Sequence, residues 1–346
     1  MTAITRPSTP SDTAPRRAGV ARLVGLTLGG LSALALAMLA SIVFGSKTTS
    51  FGDVLATLRG DADPYIATVV ESRYPRTVLG LLAGVCLAVA GTLMQGITRN
   101  PLADPGLLGV NAGASAGVVT ATAFLGAGGQ AGAVWWALPG ALLAGLLVYA
   151  VGSAGAATGL VRLVLAGAVV SAVLTAYIQL VTLSKPTVFD SYRYWVVGAL
   201  GGRSFEVFVS VLPFAVVGLV LAALVAGGLN ALALGDDSAH ALGANPTLTR
   251  AGGLVAATVL CAAATAAVGP IAFVGLAVPH IVRALVGIDF RLQLLFSALL
   301  GPTLLLLADV LGRVVMRPSE LMVGVVTAFV GAPVLLYAVR RMRGTA

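Results

Sequence analysis

The side chains of this protein that could do chemistry are few, and they gather at the ends of apolar runs. Arg73 and Arg76 bracket Pro75 in "ESRYPRT", and Arg313 and Arg317 follow Asp309 in "LADVLGRVVMRP". A guanidinium is a planar fork suited to bidentate pairing with carboxylates, so such a set at the mouth of a pathway fits a surface that receives acidic groups of another protein. Snorkelling to lipid headgroups is the alternative, and the residues alone leave both open. Asp309 beside Arg313 reads as an interfacial ion pair. A second polar run, "LGDDSAHALGANPTLTR", lets Asp236, Asp237 or Ser238 cap a short helix through Ala239 to Leu242, with Gly243 ending it and Pro246 opening the next. A short helix between two apolar segments is either a connector or a handle that seats in a groove of a soluble partner.

Catalytic constellations are missing. "FGSKTTS" is not a phosphate loop, because Ser46 separates Gly45 from Lys47 and Ala40 stands upstream where a glycine is required. His240 and His280 are too few and too far apart in sequence for a metal site, and no Cys or carboxylate stands at ligand spacing. Cys86 and Cys261 lie in apolar runs as small hydrophobes. No metal, no cofactor held by this chain and no enzymatic activity are expected. If the protein moves something uphill, the energy comes from a partner.

The elements that carry these residues are membrane helices. Of 346 residues 58% are hydrophobic and 10% charged, with mean hydropathy +1.00, whereas soluble domains run near 25% charged. Runs of roughly twenty apolar residues match the length that crosses a hydrocarbon core of about 30 Å. The expected fold is an all-α polytopic membrane protein with ten spans, near 23–44, 75–96, 106–127, 132–152, 160–183, 206–229, 248–268, 271–287, 292–312 and 321–339. Residues 1–19, rich in Thr, Ser, Pro and Arg, read as a disordered tail, and 20–346 as a single transmembrane domain. An even span count puts both termini on one side, and Arg16, Arg17, Arg22, Arg340, Arg341 and Arg343 make that side cytoplasmic by the positive-inside rule. The turns near 270 and 313–320 then face outward.

No Asp, Glu, Lys, Arg or His occurs between Thr77 and Thr98, Pro105 and Gly159, Val207 and Gly235, or Ala251 and Pro279, which speaks against a proton relay and a stand-alone secondary carrier. "RNPLADPGLLGVNAGAS" interrupts the apolar pattern, since Pro101 and Pro105 each remove a backbone donor. Placed at the cytoplasmic end of the second span, it is expected to have Asn100 and Asp104 bonding freed backbone groups while Gly109, Gly113 and Ala114 permit close helix packing. "TRNPLADPG" and "VGPIAFVGLAVPH" occupy related places in the two halves. An inverted repeat and a chance match among 43 glycines both stand as explanations.

Three stretches together resemble one family: "RYPRTVLGLLAGVCLAVAGTLMQGITRNPLADPGLLGVNAGAS", "LGDDSAHALG", and the set "GPIAFVGLAVPHIVR", "LLLLADVLGRVV" and "ELMVGVVTAFVGAPVLLY". They are similar to the FecCD-type permeases of ABC importers for iron-siderophores, haem and cobalamin, from about residue 20 onward, and most similar in wording to those for ferric enterobactin. The resemblance implies a subunit of the bacterial cytoplasmic membrane that moves a ferric siderophore of catecholate type inward by alternating access, with haem or cobalamin as the other cargoes. It implies a second permease subunit, identical or different, two cytoplasmic ATPases carrying ATP and Mg, an extracytoplasmic siderophore-binding protein, surrounding lipid and no nucleic acid. By the same resemblance Arg73, Arg76 and Arg313 receive acidic residues of the binding protein. Leu234, Gly235, Asp236, Asp237, Ser238, Ala239, His240, Ala241, Leu242 and Gly243 form the coupling helix on the ATPase, and Ala157 and Thr158 lie at a cytoplasmic gate.

Overall fold

The computed structural model describes residues 14–126, 130–153 and 159–343, and all regular structure among them is helical. The helices are α1 (Ala14–Val43), α2 (Phe51–Arg59), α3 (Pro64–Glu71), α4 (Arg73–Thr98), α5 (Val110–Phe124), α6 (Gln130–Ser153), α7 (Gly159–Ser184), α8 (Pro186–Trp195), α9 (Phe205–Leu232), α10 (Asp236–Ala241), α11 (Pro246–Val268), α12 (Val274–Val286), α13 (Phe290–Val315) and α14 (Val323–Arg343). Among the described residues seven segments are long and apolar enough to cross a membrane. The shorter α5 and α12, and α14, complete the ten expected spans.

α4 and α11 form the centre, each buried over most of its length, while α1, α7 and α9 wrap the outside. Lipid tails are as apolar as leucine, so burial of apolar area cannot hold such helices together; close backbone packing through small residues does. Gly84 of α4 lies on Gly301 and Pro302 of α13, and Gly91 lies on Gly275 of α12 so closely that a Cβ there would overlap the Gly275 carbonyl. Gly113 and Gly117 of α5 receive Gly140 of α6 in the same way. The outer helices leave Val169, Val173 and Leu183 of α7 and Val217 and Leu224 of α9 exposed, the surface a bilayer or a second subunit would cover.

One end of the bundle carries α2 and α3, and the other carries α10. Ser50 caps α2 through a complete capping box with Asp53. α1 already begins at Ala14, so residues 14–19, read as disordered, are helical; Pro15 in the first turn gives up a donor that has no partner there anyway. Residues 1–13 and the gate residues Ala157 and Thr158 lie outside the described residues. Arg22 at the start of α1 donates to the Leu285 carbonyl at the close of α12, and Asn230 beside α10 bonds Asp289 just beyond, so α1 starts at the α10 end. α14 starts at the α2/α3 end, with Val323 beside Glu320 in a vestibule there, and runs back towards α10, which leaves both termini on one side.

The two long central helices share a plan of opposite direction. α4 ends at a left-handed Arg99 (φ 50°), and an irregular stretch with a 3₁₀ turn at Pro105–Leu108 leads to a left-handed Gly109 (φ 73°) that opens the 15-residue α5. α11 ends at Gly269 (φ 81°), and a shorter stretch leads to a left-handed Phe273 (φ 70°) that opens the 13-residue α12. At 1.5 Å per residue these short helices reach only about 20 Å, too little to cross the membrane, so each begins inside it. Two expectations are corrected by this. The 99–109 break does not stay at the end of α4 but climbs until Asn111 accepts a hydrogen bond from Thr265, near the far end of α11, at 2.8 Å. The turn near 270 does not stand free but is packed under residues 195–199, where the Ala199 amide donates to the Val268 carbonyl at 2.8 Å, with Ala272 left exposed.

Candidate functional site

At the α2/α3 end, the start of α4, the 199–203 turn and the entry to α14 enclose a vestibule of about 790 Å³. Its wall is an ion network built on Asp309. The carboxylate, with no exposed surface, accepts from Arg76 Nε at 2.9 Å and Nη2 at 2.8 Å, and from Arg313 Nη2 at 2.9 Å. Arg313 lies one turn further along α13, the spacing that brings i and i+4 side chains together. Arg313 also donates to the Ser41 carbonyl at 2.9 Å and to Ser41 Oγ at 3.0 Å. The third fork, Arg73, donates from Nη1 to the Ile42 and Val43 carbonyls and to Thr49 Oγ1, each at 2.7 Å, and from Nη2 to the Lys47 carbonyl at 2.9 Å. It thereby caps α1, whose last carbonyls have no partner within the helix and form the negative end of its dipole.

The expected ring of outward guanidinium groups is therefore not the arrangement present. Arg73 and Arg313 are buried and bonded to their own chain, because cations without carbonyl or carboxylate partners would be costly at that depth. Arg76 alone of the three reaches the opening, where Nη1 donates to Glu320 Oε2 at 2.8 Å and Ser46 Oγ donates to Oε1 at 2.8 Å. Burial alone would push the Glu320 carboxyl up, but the Arg76 charge and these bonds hold it below its ordinary range. Arg317 donates to the Gly45 carbonyl at 2.9 Å. The Asp309 pair exists as expected but is buried rather than interfacial, and its nearer partnership is with Arg76 of α4.

The break after α4 uses its polar side chains as the sequence suggests. Asn100 Oδ1 accepts from the Leu102 amide at 2.9 Å, and Asp104 Oδ1 accepts from the Gly106 amide at 2.8 Å. Pro101 follows the last bonded turn, and Pro105 takes the first position of the 3₁₀ turn, where its missing N–H costs nothing. Asp104 also lies against Gly275, so both irregular stretches meet here.

At the opposite end α10 protrudes. Its N-terminal position is Gly235 (φ 110°) with no side-chain cap, so none of Asp236, Asp237 and Ser238 has the expected capping role. Asp236 instead joins two arginines, accepting from Arg99 at 2.7 Å and from Arg250 at 2.7 Å, and the bond from Arg250 is the main cause of its depressed pKa. Ala239 is buried, while Asp237, Ser238, His240, Ala241, Leu242 and Gly243 are exposed and Leu234 beside them is 63% exposed. Gly243 (φ 79°) ends the turn, and Asn245 caps α11 through the Leu248 amide with Pro246 in its first turn. A groove of about 500 Å³ lies between the end of α9, the 242–244 turn and Arg291.

The described residues thus carry a buried ion network at one end and an exposed helix at the other. Residues 33–341 match the FecCD transport family as a whole. The chain belongs to that family. It is 46% identical over 315 residues to the ferric enterobactin transport system permease protein FepD of Escherichia coli, covering 90% of this chain and 94% of that one. Over 271 residues it is 42% identical to the Fe(3+)-citrate import system permease protein YfmD of Bacillus subtilis, covering 78% and 80%. Among solved structures it resembles a metal-chelate type ABC transporter in an inward-facing conformation, with TM-score 0.78, 27% identity and coverage of 92% and 98%. As a FecCD family member it is a multi-pass membrane protein of permease type.

Two features of the vestibule escaped sequence reasoning. Arg76 and Asp309 stand 233 positions apart, and a helical period carries information only to i+3 or i+4, so it offered Arg313 and not Arg76. Arg203, in the plain turn "LGGRS", gives no signal at all beyond being a charge between two glycine-flanked helices.

Proposed function

We propose that this protein is the membrane-spanning subunit of an ATP-driven importer of the bacterial cytoplasmic membrane, with a ferric chelate of catecholate type as cargo. The α2/α3 end faces outward and receives the loaded binding protein at the vestibule, with Arg76 at its opening and Arg73 and Arg313 holding its wall. The α10 end faces the cytoplasm, where residues 234–243 and the groove behind them seat a soluble ATPase that supplies ATP and Mg chemistry. A second permease subunit lies against the exposed apolar helices, and substrate passes between the two by alternating access. Family membership over residues 33–341 carries this reading, and both named relatives handle ferric chelates.

The test is uptake by cells that carry this permease with its ATPase and binding protein, comparing labelled ferric catecholate, ferric hydroxamate, haem and cobalamin. Uptake of the catecholate alone, lost when the ATPase is inactivated, is the expected result. Uptake that persists without the ATPase would overturn the importer reading, and uptake of another of the four would move the cargo while keeping the class.

A further inference from the structure

Arg203 differs from every other arginine around the vestibule. It is 9% exposed, its Nε lacks a hydrogen-bond partner, and among the described residues neither an ion pair nor a hydrogen bond to its Nη atoms is present. Arg73, Arg76 and Arg313 use their Nη atoms on their own chain, and Arg317 uses its Nε. Burial pushes the Arg203 guanidinium down to about 10, which still leaves it charged at neutral pH. A buried, unpaired cation is costly, and that cost is recovered when a carboxylate arrives to pair with it.

The surroundings select an anion. Lys47, Arg73, Arg76, Arg203 and Arg313 line the vestibule against Glu320. With Asp309 beneath, three positive charges are left uncompensated. The turn that carries Arg203 also touches the exchangeable part of the network: a side-chain carbon at Gly201 would lie 3.1 Å from Arg76 Nη1 and 3.7 Å from Glu320 Oε2. Tyr65, 60% exposed, stands at the edge of the vestibule, and the same end of the molecule exposes Phe51 and Leu58 on α2 beside the charged Arg59, Asp61, Asp63 and Glu71. Exposed aromatic and leucine side chains around a charged hollow suit the surface of another protein better than a free ion.

We infer that Arg203 receives an acidic side chain of the extracytoplasmic protein that docks at this vestibule, an inference that rests on the docking reading proposed above. The incoming carboxylate pairs with the Arg203 fork in bidentate form, and Glu320 holds the neighbouring Arg76 Nη1 until docking. Arg203 is thus a specificity-determining contact for the partner, separate from the three arginines that build the wall.

The test uses the assembled transporter in lipid nanodiscs and the binding protein that uptake requires. Arg203→Gln is expected to weaken docking at least tenfold and to flatten its salt dependence, while Arg203→Lys, which keeps the charge but not the fork, loses less affinity than Arg203→Gln and retains the salt dependence. Replacing the partner's docking-face acids one at a time by their amides should reveal one whose loss adds nothing to Arg203→Gln. Removal of an unpaired charge should leave the thermal midpoint of Arg203→Gln equal to the wild type or higher. Docking of Arg203→Gln at wild-type affinity, or a sharply lowered midpoint that marks the residue as structural, would overturn the inference. A wild-type transporter that binds no such protein would instead overturn the docking reading itself.

Discussion

Arg76 at the start of α4 and Asp309 near the end of α13 form a two-pronged ion pair, with three hydrogen bonds of 2.8, 2.9 and 3.2 Å around a carboxylate that has no exposed surface. Asp309 also neutralises Arg313, so one acid answers two buried cations. Removing one member of a buried network costs more than the pair contributes, because charge is left without a counterpart.

Asp309→Asn is therefore expected to lower the stability of the permease by about 3–5 kcal/mol, read as a fall in the thermal midpoint in detergent or nanodiscs. Glu320→Gln, which removes a partly exposed partner of the same Arg76, should cost only about 0–1 kcal/mol. Equal effects of the two substitutions would mean that the buried pair does not organise this end of the molecule.

The Glu320 carboxyl is held below its ordinary value of 4.5. A depressed carboxylate contributes stability that is present above its unfolded pKa and lost as pH falls through the folded one. Wild-type stability should thus be flat above about pH 5 with respect to this group and decline below it, and Glu320→Gln should remove part of that decline. Unfolding midpoints measured from pH 3 to pH 7 give the comparison.

Gly91→Ala should sharply reduce the yield of folded protein, since the new methyl group overlaps the Gly275 carbonyl and two backbones have to separate. Gly25→Ala, on the exposed face of α1 with nothing within 4 Å, should be neutral or stabilising by up to about 1 kcal/mol because alanine is the better helix former. Size-exclusion profiles of the two variants side by side separate a packing effect from a general intolerance of side chains.

At the break after α4, Asp104→Asn keeps an acceptor for the Gly106 amide, whereas Asp104→Ala does not. The alanine variant, like Asn100→Ala, is expected to cost about 1 kcal/mol and the asparagine variant less. Unchanged stability and transport in Asn100→Ala would remove the role assigned to that side chain.

Asp236 ties α10 to Arg99 and Arg250 near the surface, where ion pairs contribute little to stability. Asp236→Asn should leave the midpoint within about 1 kcal/mol of the wild type and instead lower the cargo moved per ATP hydrolysed. A large fall in stability with intact coupling would assign the aspartate to the fold alone.

Much of this was legible in the sequence wherever the cause is local. The spans follow from apolar length, and the Asn100 and Asp104 turns from prolines that leave amides to satisfy. What was not legible depends on depth and on distant contacts. Nothing in "NPLADPG" tells that the chain climbs back into the membrane after it, because that follows from the shortness of α5 and from Thr265 waiting on α11. The helix α10 was anticipated but its start was not: Asp236 meets two arginines, from α4 and α11, that a local capping argument cannot see. Arg73, Arg76 and Arg313 stand out in the sequence, yet their direction depends on the carbonyls of α1 and on Asp309.

α4 carries Arg76 in its first turn and Arg99 at its last, and the second of these holds Asp236 of α10. The 26-residue helix itself makes a strut about 39 Å long, stiffened on its flanks by α11, α12 and α13. The two faces of the protein thus share one piece of stiff material. A single helix therefore spans the distance between the Arg76–Asp309 pair and the Arg99–Asp236 pair. The cost of that economy is that neither face is free to evolve alone: a new partner on one side will be felt as a changed resting position on the other.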